Sequence, residues 1–113
     1  MEMPDGRATA KRLVETTGGP RILMALLQSG PSYVKGLSYD TRLVDKTVRA
    51  AVVVLLEMKL VKVVIPPADH RVPHAKDYYD LTANGREIAL QLHKCELEMI
   101  GVFDRVTRQH HTP

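Results

Sequence analysis

The chain has 113 residues, a net charge of +3, 44% hydrophobic residues and only 4% aromatic ones, which suits one compact domain with an aliphatic core. A single cysteine excludes an intrachain disulfide framework, and no apolar run approaches the roughly 20 residues needed to span a bilayer. The first residues lack the basic-then-apolar pattern of a secretory leader, so the expectation is a soluble cytoplasmic protein.

Asp5 is placed to cap a short helix through about Glu15, and Gly18-Gly19 ends it. Pro20 suits a first helical position. From Pro20 to Ser29, Ile22, Leu23, Leu26 and Leu27 share one face, and Gly30-Pro31 is a stop. Residues 32–34 read as a very short strand, followed by a helix from Lys35 to Thr41.

Asp45 is expected to N-cap the next helix, Asp45 to Met58. Val48, Val52, Leu55 and Leu56 recur there at core spacing, and Val53 is left on an outward face. The β-branched run 51–56 reads alone as a buried strand, but the acidic start and the flanking spacing favour helix. Leu60 to Ile65 is a strand ended by Pro66-Pro67, and the proline-rich stretch 66–77 is a loop. Tyr78 to Leu81 is a returning strand, and Thr82 caps a long last helix from about Ala83 to Val106 or beyond.

Charge is unevenly spread. Residues 20–65 carry seven basic and three acidic groups, so the whole excess of positive charge lies in this segment, which contains the paired helices. A basic face is what phosphate contacts require.

The two helices joined by a tight turn, and the strand that follows, have a helix-turn-helix layout. Three motifs extend it. Leu37 and Leu43 precede Thr47-Val48; Leu55 precedes Glu57-Met58-Lys59-Leu60-Val61; and Tyr79-Asp80-Leu81-Thr82-Ala83-Asn84-Gly85 joins the last strand to the last helix. Over residues 20–92 the chain resembles the winged-helix family of DNA-binding domains, whether dimeric regulators of the MarR and PadR kind or small archaeal winged-helix chromatin proteins with a C-terminal coiled-coil helix. Lys59 stands where the family usually has Gly, at a position that often takes a left-handed backbone.

The resemblance implies an α+β, mainly helical fold: a winged helix-turn-helix with a long C-terminal dimerisation helix. The organisation expected is an N-terminal helix or arm over 1–19, a winged-helix domain over 20–92 and the dimerisation helix over 83–109. It further implies a dimeric, sequence-preferring DNA-binding protein and transcriptional regulator, associated with the nucleoid. Lys46, Thr47, Arg49 and Ala50 would face bases from the recognition helix, Arg49 toward guanine. Lys35, Tyr39 and Arg42 would lie by the phosphates, and His70, Arg71, His74 and Lys76 would reach from the wing. The alternatives are a protein–protein interaction module, favoured by the apolar stretch Ala50 to Leu56, and a non-specific chromatin architectural protein.

In the last helix Ile88, Leu92, Cys95, Met99, Val102 and Val106 step by four and three, a heptad seam. The first two suit the domain core; the remainder, widened by Leu97, Ile100 and Phe103, calls for a partner helix and hence a homodimer. Catalytic patterns are missing: there is no nucleotide loop, no paired catalytic carboxylates and no nucleophile elbow, so the expectation is no enzyme and no cofactor. His70 and His74 flank Pro73 in the loop, there is no Cys-x-x-Cys pair, and only His93 with Glu96 is spaced for a metal on the last helix, so none is expected. Double-stranded DNA and a second copy are the partners implied, with no membrane; the sequence identifies no effector.

Overall fold

In the computed structural model, residues 6–66 and 77–110 are described, the last two by their backbone alone. The elements run α1 (Gly6–Glu15), α2 (Gly19–Ser29), α3 (Val34–Thr41), α4 (Asp45–Glu57), β1 (Val61–Val64), β2 (Tyr78–Leu81) and α5 (Ala83–His110). β1 and β2 pair antiparallel, with Val61 opposite Leu81 and Val64 opposite Tyr78. No described helix is long and apolar enough to cross a membrane. Asp5 and the loop residues 67–76 lie outside the described residues.

The core is aliphatic. Ile22, Leu23 and Leu26 of α2, Leu37 of α3, and Val48 and Leu55 of α4 are its largest fully buried side chains. Ala51, Val52, Leu60, Val61, Leu81 and Ala89 complete it, and Leu27, Leu43, Leu56 and Leu92 pack at its edge. α4 therefore buries one stripe and leaves Val53 55% exposed, as the spacing requires. α1 adds Leu13 to the core, and Arg12 Nη2 donates to Glu57 Oε2 at 2.5 Å, tying α1 to the end of α4.

Local expectations at residues 32–34 and at Asp45 are corrected. Residues 32–34 form no strand. Ser32 exchanges both backbone hydrogen bonds with Tyr79, at 3.0 and 2.7 Å, but Tyr33 already caps α3, which leaves one residue free to pair. Asp45 is not the N-cap of α4. Val44 is, with extended backbone and no side-chain cap, and its carbonyl accepts the Val48 N–H at 3.1 Å. Asp45 is already helical, so its carboxylate acts on the positive end of the helix from the first turn.

α4 ends in a Schellman motif. Lys59 adopts φ 59°, the left-handed geometry its position suggested. Its N–H donates to Leu56 O and the Leu60 N–H to Leu55 O, both at 3.0 Å, which satisfies carbonyls the helix would otherwise leave open. Leu60 and Leu55 both join the core there.

α5 starts on this same corner. Thr82 Oγ1 accepts the Gly85 N–H at 3.0 Å, as an N-cap should, and donates to Lys59 O at 2.7 Å. Gly85 and Ala89 then lie buried, and Leu92 packs against the core. Ile88, expected in the core, is 37% exposed; fully buried Ala89 takes the inward position because it shares a face with Gly85 and Leu92. Beyond Leu92 the helix leaves the domain, and the radius of gyration of 16.5 Å exceeds the roughly 13 Å of a compact chain this long.

Candidate nucleic-acid interface

The buried stripe of α4 fixes its outward face. Lys46, Arg49, Ala50 and Val53 are exposed at i, i+3, i+4 and i+7, with Thr47 half-buried at the border. Cationic side chains occupy only the first two turns of this face; further along it carries Val53 and then Glu57.

The start of α4 is held firmly. Arg42 takes a left-handed backbone, φ 61°, to end α3. Ser38 Oγ donates to Leu43 O across the turn. Leu43 packs at the core edge, so close to Gly18 that a Cβ there would meet its Cδ1. Thr41 Oγ1 donates to Leu37 O at 2.6 Å, and Arg21 Nη1 reaches Thr41 O at 3.3 Å from α2, placing a cation at the negative end of α3. With no side-chain cap at Val44, the backbone N–H groups of the first turn of α4 receive no side-chain oxygen from that residue.

On α3, Lys35 and Tyr39 are exposed one turn apart, and Arg42 follows at the turn. Tyr39 is 86% exposed, a large amphipathic side chain with its ring in solvent. The structure thus puts Lys35, Tyr39, Arg42, Lys46, Arg49 and Ala50 on the surface of two packed helices. His70, Arg71, His74 and Lys76 lie outside the described residues.

At the base of the wing, Lys62 is exposed opposite Asp80, and Val63 and Ile65 are exposed beside it. Val44 is 68% exposed just before α4. Sequence reasoning passed over Lys62 and Val44, although strand alternation from buried Val61 signals the outward Lys62. Tyr33 and Tyr78 pack with tilted rings, 5.3 Å between centroids, and link β2 to the start of α3. The Tyr79 phenol is pushed up from its ordinary pKa by burial, and further by the nearby Asp77 charge.

No group of three His, Cys, Asp or Glu side chains converges among the described residues. His93 Nδ1 is buried without a hydrogen-bond partner there, while Glu96 points to solvent.

The whole arrangement has known counterparts. An apo mutant of ZitR from Lactococcus lactis matches with a TM-score of 0.70 at 20% identity, over 88% of this chain and 70% of that one. The adhesin competence repressor AdcR from Streptococcus pyogenes matches with a TM-score of 0.68 at 22% identity, over 91% of this chain and 72% of that one. No protein-family model and no curated protein matches the sequence. At these identities the likeness establishes the fold: a winged helix-turn-helix, mainly helical, with a small two-stranded antiparallel sheet and a long C-terminal helix.

Proposed function

We propose that the protein is a dimeric, sequence-preferring DNA-binding regulator of transcription. One observation carries this reading: the outward stripe of α4 presents Lys46, Arg49 and Ala50 at its N-terminal half, with Thr47 half-buried at its border, opposite a buried stripe. A helix that enters a major groove contacts bases from that half. Arg49 is the residue assigned to guanine, since a guanidinium matches its O6 and N7 bidentately. Thr47 and Ala50 suit thymine methyl groups. Lys35, Tyr39 and Arg42 lie by the phosphates on either side, and His70, Arg71, His74 and Lys76 extend the contact from the wing. That AdcR is by name a repressor supports the assignment.

Dimerisation is proposed through α5. Met99, Val102 and Val106 are 56, 42 and 43% exposed, and Cys95 is also exposed, so this apolar seam lacks cover among the described residues. Ile88 and Leu92 border it on the domain side.

Electrophoretic mobility shifts at several salt concentrations test the proposal. Binding should weaken steeply with salt, and a Lys46→Ala, Arg49→Ala double variant should lose affinity and reduce the salt slope by up to about 2. Competition between unrelated duplexes distinguishes a sequence-preferring regulator from an architectural protein. Failure to bind any duplex at low salt would overturn the assignment. A protein-docking module is the second reading, favoured by exposed Val44 and Val53 at and on α4. It predicts unchanged partner capture after nuclease treatment.

A further inference from the structure

The exposed seam of α5 carries information about how two copies meet. Leu92 packs against its own core, so the free seam positions are Cys95, Met99, Val102 and Val106. They alternate as d and a positions of a heptad, and their midpoint lies between Ile100 and Gly101.

We propose that α5 pairs with α5 of a second copy in antiparallel register centred between Ile100 and Gly101, with Glu98 facing Arg105 of the partner subunit. This inference rests on the dimer reading above and fixes its geometry. In an antiparallel pair each a position packs against a d position. The proposed centre sets Met99 against Val102 of the partner subunit and Cys95 against Val106 of the partner subunit. Each of the four free positions then has one partner, each pair recurs once by symmetry, and the pairing ends where Leu92 turns into its own domain.

The flanking charges select the same register independently. Glu98 and Arg105 are the g positions, and this centre brings them together in two symmetry-related pairs. Neither side chain has an ion-pair partner among the described residues. Moving the centre seven half-steps toward the domain would set Glu98 against Glu98 of the partner subunit and Glu96 against Glu96 of the partner subunit. Moving it as far the other way would set Arg105 against Arg105 of the partner subunit. A parallel in-register pair sets Glu98 beside Phe103 of the partner subunit and offers no opposite-charge pair over these positions. Flanking charges set orientation and register in paired helices, so the antiparallel centre is preferred.

Cysteine cross-linking with copper phenanthroline, alongside analytical ultracentrifugation of the full chain, tests this. Cys95 and Cys95 of the partner subunit would lie 11 residues apart along the pair, about 16 Å, well beyond disulfide reach. The wild type should therefore sediment as a dimer and not cross-link, whereas Val106→Cys should cross-link efficiently through Cys95. Glu98→Arg or Arg105→Glu alone should weaken dimerisation about tenfold, since each loses two favourable pairs and gains two like pairs. The two changes together should restore it. A dimer that cross-links through wild-type Cys95, or one in which Val106→Cys stays uncross-linked, overturns the register while the dimer stands. Sedimentation as a monomer at micromolar concentration removes the dimer and the register together, whatever the DNA titrations give.

Discussion

A Cβ on Gly85 would overlap the carbonyl oxygen of Leu60. The first turn of α5 thus rests directly on the backbone that links α4 to β1. That carbonyl also accepts the Thr82 N–H at 3.1 Å, so it has no freedom to retreat. Gly85→Ala must pull α5 away from the sheet. The expected loss is about 3 kcal/mol, the upper range for overpacking, read as a fall in the urea midpoint. A stability within 0.5 kcal/mol or so of wild type would mean that α5 docks more loosely than the structure has it.

Thr82 stitches the same corner from the other side, through one hydroxyl that both donates and accepts. Thr82→Ala should cost about 1–2 kcal/mol, from the lost cap and the Lys59 carbonyl left without its partner. Thr82→Ser keeps the hydroxyl and should recover most of that. Thermal melts of the two variants separate a capping role from a packing role of the methyl group.

Lys59 bears the cost of a left-handed backbone that glycine would take freely. Its side chain is exposed, so little packing is lost on removing it. Lys59→Gly should therefore stabilise the fold by up to about 1 kcal/mol, offset in part by the greater freedom of glycine in the unfolded chain. The denaturant midpoint should rise with an unchanged slope. A fall would mean that the Lys59 side chain makes a contribution its exposure does not suggest.

These corners explain what the sequence made legible. Thr82 and Lys59 could be assigned roles because each role has a stringent local requirement: a cap oxygen and a positive φ. Val48, Val52 and Leu55 were legible through their spacing, once the acidic start had favoured helix over strand. Asp45 misled because an acid just before an apolar run fits both an N-cap and a first-turn position. The choice lies in the turn geometry at Arg42 and Val44, which composition does not encode. Ile88 misled for a related reason. Adjacent Ile88 and Ala89 both suit an apolar face, and the packing of Gly85 on Leu60 decides which turns inward. The stripe of Lys46 and Arg49 followed from the helical period once Val48 was assigned to the core. Lys62 escaped notice because a four-residue strand offers a short pattern.

Arg12 and Glu57 form an ion pair that bridges 45 residues of sequence, with side chains 51 and 56% exposed. Its close contact invites a large stabilising role, but solvent on both groups argues otherwise. Water screens the charges, and ordering two long side chains costs entropy. The coupling energy in an Arg12→Ala, Glu57→Ala double-mutant cycle should be no more than about 1 kcal/mol and should shrink as salt is raised. α1 should stay docked in both variants, because Leu13 is buried in the core and Gly19 packs against it. Leu13→Ala, by contrast, should cost about 2–3 kcal/mol through lost burial and the cavity left behind. Amide exchange on residues 8–15 checks the ordering. It should accelerate in Leu13→Ala and remain near wild type in Arg12→Ala. The opposite order would make the ion pair, rather than the leucine, the anchor of α1.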